Sequence, residues 1–191
     1  MASGTKLTVT GREHVDPNRS YVVVANHLST LDIMSCFLAV GLPIRYLAKA
    51  ELFNIPILAQ GMRAAGIIEV DRSARGTVHA TVNRQAKELI AKNRSLVIYP
   101  EGTRPRNGVM KPFKKGAFTM AVTGQLPILP LSIHGAYDAA PPGKPWFYGG
   151  HIRVMIDPAL ETAGKTLADT SDLRNQTREL IASRIAEMDQ S

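Results

Sequence analysis

The chain has a single cysteine, Cys36, in 191 residues, so no disulfide can close within it. That scarcity fits a reducing compartment and excludes a stapled secreted scaffold. Cys36 stands beside Met34, Phe37 and Leu38, which reads as a buried, inert thiol and not as a nucleophile. Aromatic residues make up only 6% of the chain, and no helix-turn-helix, zinc-finger or aromatic RNA-binding pattern is present. Nucleic acid is therefore not among the expected partners. No apolar run approaches the roughly 20 residues that span a bilayer, and residues 1–10 lack the apolar core of a signal peptide. The expectation is a cytoplasmic or peripheral protein with no transmembrane segment. Repeats and low-complexity segments are also missing. At 191 residues with 45% hydrophobic side chains, one domain covering 1–191 is expected.

Another absence is local. Residues 102–137 contain no Asp or Glu, yet they carry Arg104, Arg106, Lys111, Lys114 and Lys115. The whole chain has a formal charge of +7. Such a stretch is either a solvated basic surface or a field that draws phosphate groups.

What is present alternates. Tyr21-Val22-Val23-Val24-Ala25 is a β-branched run that predicts a buried strand, with further strands over 44–48, 67–70, 96–99, 128–133 and 152–156 and an edge strand over 6–10. Helices are expected over 30–40 (stopped by Gly41), from Pro56 to near Gly66, over 77–92, over 117–122 (stopped by Gly124) and over 171–188. Residues 139–145, rich in Ala and Pro, read as a loop between late strands. Strand and helix in turn predict an α/β fold, with a largely parallel central sheet flanked by helices.

Two segments carry chemistry. Asn26-His27-Leu28-Ser29-Thr30-Leu31-Asp32 leaves the second strand and enters a helix. On a helix, His27 and Asp32 would lie about 140° apart. Ser29 with Asp32 instead forms a capping box, which leaves His27 in the preceding turn, free to fold back toward the carboxylate. A neutral imidazole oriented by a carboxylate can take a proton from an alcohol. The bland alternative is that Asp32 only caps the helix and His27 is a surface turn residue. No Gly-x-Ser-x-Gly elbow is present, so direct attack by a substrate hydroxyl is simpler than an enzyme nucleophile. Tyr99-Pro100-Glu101-Gly102-Thr103-Arg104 follows another strand. Gly102 permits close backbone approach, Thr103 offers a hydroxyl, and Arg104 can grip a phosphate with two nitrogens. Taken alone, this segment could equally be a turn with a surface Glu–Arg pair.

Taken together, these segments resemble the glycerolipid acyltransferases, the group that includes the 1-acylglycerol-3-phosphate acyltransferases. Four blocks occur in order: residues 26–32, Gly66-Ile67-Ile68-Glu69-Val70-Asp71-Arg72, residues 99–104, and Leu126-Pro127-Ile128-Leu129-Pro130-Leu131. Pro112-Phe113-Lys114-Lys115-Gly116-Ala117-Phe118 is also typical of the group. The resemblance implies that His27 is the general base and Asp32 its orienter. It places Lys49, Arg72, Glu101, Gly102, Thr103 and Arg104 around the phosphate of the acceptor. It implies acyl transfer from acyl-CoA or acyl-carrier protein to the sn-2 hydroxyl of lysophosphatidate, at the cytoplasmic face of an anionic membrane. It calls for no metal and no cofactor beyond the acyl thioester. Glycerol-3-phosphate or another lysolipid as acceptor, and a non-catalytic module that binds anionic lipid, are the alternatives. Leu28 and Thr30 depart from the Gln and Trp often found at those positions. Many members also carry an N-terminal membrane-binding segment, whereas the residues before the first buried strand here are polar. Residues 52–58, Leu-Phe-Asn-Ile-Pro-Ile-Leu, read as an interfacial patch or as ordinary core.

Overall fold

A strand buried on both faces needs apolar residues at every position, and the second strand has them. In this computed structural model, which describes residues 4–64, 67–70, 94–144 and 146–190, Val22, Val23, Val24 and Ala25 are all buried. Seven strands form one sheet: β1 (Thr5–Thr10), β2 (Val22–Ala25), β3 (Ile44–Lys49), β4 (Ile68–Val70), β5 (Ser95–Ile98), β6 (Ile128–His134) and β7 (Gly150–Ile156). Their order across the sheet is β1-β7-β6-β2-β5-β3-β4. Every neighbouring pair is parallel except β6 and β7, which run antiparallel. The largely parallel α/β sheet expected from the sequence is therefore present, with β1 on the edge.

Period-two side-chain alternation splits the core into two layers. Tyr21, Val23 and Ala25 pack with Cys36, Ala39 and Val40 of α1 (Leu31–Val40). Val22 and Val24 point the other way, onto Phe118 and Ala121 of α3 (Gly116–Gly124) and Leu173 and Ile181 of α5 (Thr170–Asp189). Helix α2 spans Pro56–Ala64. Four short elements were not expected from the sequence: α4 (Ala136–Ala139) and 3-10 turns over Arg12–His14, Ala50–Asn54 and Leu167–Asp169. The helix expected over 77–92 and the end of the second motif block, Asp71 and Arg72, lie outside the described residues.

Because β2, β3, β5 and β6 are mutually parallel, the segments that follow them emerge along one edge of the sheet. Residues 26–30, 50–57, 99–115, 135–144 and 146–149 therefore share a rim, the usual place for ligands in open α/β sheets. Both chemistry-bearing segments lie on it.

Candidate active site

Residue 26 ends the β2 ladder with a side chain. The Asn26 amide donates to the Ile133 carbonyl and accepts from the Ile133 N–H, both at 2.8 Å. These two bonds continue the pairing with β6 while the backbone turns away, which sets His27 at the rim.

The next turn is built around one carboxylate. Asp32 is fully buried, and its Oδ2 accepts from the N–H of Leu28 and of Ser29, each at 2.7 Å. Ser29 Oγ accepts the Leu31 N–H and donates to the Ala140 carbonyl. Half of the expected capping box is thus present: Asp32 accepts the Ser29 N–H, but Ser29 Oγ takes the Leu31 N–H in place of that of Asp32, and the N-cap is Thr30, one residue later than expected. The same Oδ2 lies 2.9 Å from His27 Nδ1. The carboxylate accepts here, so Nδ1 carries the proton and the Nε2 lone pair is left available. The Tyr99 ring stacks on the imidazole, with centroids 4.0 Å apart and planes 15° from parallel. Tyr99 also donates to Cys36 Sγ at 3.5 Å. Burial pushes the Cys36 thiol up to about 12, as expected for an inert core cysteine.

Residues 99–102 form a β-turn closed by the Gly102 N–H on the Tyr99 carbonyl, with Pro100 second and Gly102 fourth, where these residues are favoured. Glu101 is only 2% exposed. Its Oε1 accepts the His27 N–H and its Oε2 the Lys111 N–H, both at 2.7 Å. Burial raises its pKa, and these two bonds partly offset that rise. The carboxylate thus joins the imidazole-bearing turn to the basic loop, across 74 residues of sequence. Gly102 sits at φ +77°, where a Cβ would come within 2.8 Å of Lys114 Nζ. That ammonium therefore lies over the turn. Thr103, Arg104 and Arg106 line a cleft of about 470 Å³ together with Pro142 and Gly143. Lys49 is the last residue of β3, on the same rim, and Arg72 lies outside the described residues.

The model of the Acyltransferase family matches residues 6–134, more than half of the chain. The chain belongs to the acyltransferase family. It is 33% identical over 175 residues to human 1-acyl-sn-glycerol-3-phosphate acyltransferase alpha, covering 92% of this chain and 62% of that protein. Human 1-acyl-sn-glycerol-3-phosphate acyltransferase beta is 31% identical over 89% of this chain and 61% of its own length. The chain thus spans somewhat under two thirds of these relatives. Among solved structures, the 1-acyl-sn-glycerophosphate (LPA) acyltransferase PlsC from Thermotoga maritima aligns with a TM-score of 0.81 at 28% identity, over 97% of this chain and 73% of that one. The acyltransferase-family match covers the His27, Glu101 and Arg104 segments together. Among the described residues, no helix is long and apolar enough to cross a membrane.

Proposed function

We propose that this chain transfers a fatty acyl group from a thioester, acyl-CoA or acyl-carrier protein, to the sn-2 hydroxyl of 1-acylglycerol-3-phosphate. The observation that carries this reading is the His27–Asp32 pair at 2.9 Å on the same rim as the cleft lined by Arg104 and Arg106. A proton acceptor and a phosphate site are what an acceptor with both a hydroxyl and a phosphate requires. The names of the relatives point to the same substrate class.

In this reading His27 Nε2 takes the proton as the acceptor oxygen attacks the thioester carbonyl carbon. Asp32 steadies the imidazolium that forms. The C–S bond then breaks, and the sulfur leaves as a thiol with that proton. Arg104 and Thr103 hold the acceptor phosphate, Gly102 lets the backbone approach it, and Lys49 and Arg72 act as further cations. Glu101, whose two oxygens are occupied by backbone N–H groups, acts as a positioning residue for His27. The enzyme works as a peripheral protein on an anionic membrane, and no metal or cofactor takes part.

The test is thiol release from palmitoyl-CoA and from palmitoyl-acyl-carrier protein, with and without lysophosphatidate, for wild type and His27→Ala. Acceptor-dependent release is expected, falling about 10²–10⁴-fold in the variant. Release that ignores the acceptor would indicate thioester hydrolysis instead, and release that survives the substitution would remove His27 as the base. A phosphate-free monoacylglycerol should be a poor acceptor.

A further inference from the structure

This chain contains only eleven aromatic residues, five Phe, five Tyr and one Trp. Five are packed away: Tyr21, Tyr46, Phe53, Phe113 and Phe118 are buried. Three stand consecutively in the open. Trp146 is 72% exposed, Phe147 58% and Tyr148 63%. A soluble fold gains nothing from presenting its sole tryptophan to water beside two more rings, so such a cluster marks a contact surface.

The backbone holds that cluster at a definite place. The Tyr148 N–H donates to the Ala139 carbonyl at 2.9 Å, which closes residues 139–148 into a loop with joined ends. At its base the Ala140 carbonyl accepts Ser29 Oγ from the His27 turn. Tyr137, just before the loop, donates to the Arg106 carbonyl at 2.7 Å. Pro142 and Gly143 of the loop line the same cleft as Thr103, Arg104 and Arg106. The aromatic cluster therefore belongs to the rim of the same cleft. On the far side of His27, the segment after β3 presents Ile55 and Ile57, the latter 87% exposed.

Charge completes the surface. The rim segments carry Arg104, Arg106, Lys111, Lys114, Lys115 and Lys144. Among their described residues only Glu51 and Asp138 are exposed carboxylates. Aromatic rings seated among cations suit the headgroup layer of an anionic bilayer, where rings enter the apolar boundary and cations stay with the phosphates. A protein partner would need a complementary shaped face, whereas three consecutive exposed rings offer a wedge.

We propose that the Trp146–Phe147–Tyr148 loop is a lipid-docking wedge that inserts into the surface of an anionic bilayer and sets the cleft mouth against it. This rests on the acyltransferase reading only in that an amphiphilic acceptor would then enter the cleft without leaving the lipid phase.

The chain supplies its own probe, because Trp146 is its only tryptophan. Full-length protein is mixed with phosphatidylcholine vesicles with and without phosphatidate, and emission and co-sedimentation are followed together. The expected result is a blue shift with the phosphatidate vesicles, quenched by lipids brominated on their acyl chains. Trp146→Ser/Phe147→Ser/Tyr148→Ser should sediment roughly tenfold less while keeping the wild-type unfolding midpoint. Co-sedimentation with unchanged emission would place docking elsewhere and overturn the proposal, as would no sedimentation at all. A shift produced by acyl-carrier protein without lipid would overturn it in favour of a protein partner. Assays with lysophosphatidate in nonionic micelles separate the two readings. A shift on vesicles with no acyl transfer keeps the wedge and removes the enzyme, whereas transfer in micelles with no shift does the reverse.

Discussion

His27 is held from three directions: by Asp32 at Nδ1, by Glu101 at its backbone N–H and by the Tyr99 ring on its face. Each restraint fixes a different freedom, namely tautomer, backbone position and ring tilt. The stack is the one that substitution can probe cleanly. Tyr99→Phe keeps the ring and loses only the hydroxyl, with its weak bond to Cys36 and its contact with Tyr46, so kcat should stay within about twofold of wild type. Tyr99→Leu removes a ring pair worth about 1 kcal/mol and frees the imidazole to tilt. Its kcat should fall several-fold to about tenfold with the acceptor KM little changed. Equal losses in both variants would mean that the hydroxyl, not the stack, matters. Cys36 offers a second residue-scale test. An unfolded thiol ionises near 8.5, whereas the native one holds its proton to about 12. A raised native pKa contributes stability in full below the unfolded value and loses it as pH climbs toward the native one. Wild type should therefore lose stability relative to Cys36→Ala between about pH 8.5 and 12. Alkylation of native protein at pH 8 should be far slower than that of unfolded chain; rapid native labelling would contradict the buried thiol. The pairing of His27 with Asp32 was legible because both lie in one local turn at the start of a helix, where the Asp32 carboxylate gathers the preceding N–H groups. The bridge from Glu101 to His27 was not, because its two ends are 74 residues apart and a carboxylate in a phosphate-binding motif gives no sign of facing inward.

Elements were most legible where both chain neighbours and core agreed. The β-branched run at β2 and the capping signals around α1 predicted strand and helix to within a residue or two. The final helix, expected over 171–188, runs Thr170–Asp189. The antiparallel return of β7 was not legible, since hydrophobic alternation says nothing about strand direction. It depends on the connection over 135–149, which stays on the rim instead of crossing the sheet. Gly135 makes that connection possible. It sits at φ +78°, and a Cβ there would approach the His151 carbonyl oxygen of β7 to 2.1 Å. Backbone cannot retreat cheaply inside a paired sheet, so Gly135→Ala should cost at least about 2 kcal/mol, combining left-handed strain with the clash. Chemical denaturation measures this directly. A loss below 0.5 kcal/mol or so, the level of an ordinary surface substitution, would show that β6 and β7 can separate at that corner.

At the scale of the molecule, the cations are arranged asymmetrically. A net charge of +7 spread evenly would only aid solubility, but the five cations of the acid-free stretch 102–137, from Arg104 to Lys115, all lie in the 99–115 segment of the rim that holds His27. Parallel strands bring this about by delivering every following segment to one edge, so a charge bias in one sequence segment becomes a field at one site. An anionic acceptor approaching that rim should feel attraction beyond direct contact, over a Debye length of about 10 Å at 0.1 M salt and about 3 Å at 1 M. With lysophosphatidate presented in nonionic micelles, so that bilayer docking plays no part, kcat/KM should fall several-fold or more between these two salt concentrations while kcat changes little. Lys111→Gln/Lys115→Gln should flatten the salt dependence without abolishing turnover, because neither side chain lines the Arg104–Arg106 cleft. Arg104→Ala should lower kcat/KM at every salt concentration, since it removes a direct contact rather than a distant charge. A salt profile unaffected by the lysine substitutions would mean that the basic loop is merely solvated and that the cleft arginines alone account for attraction to phosphate.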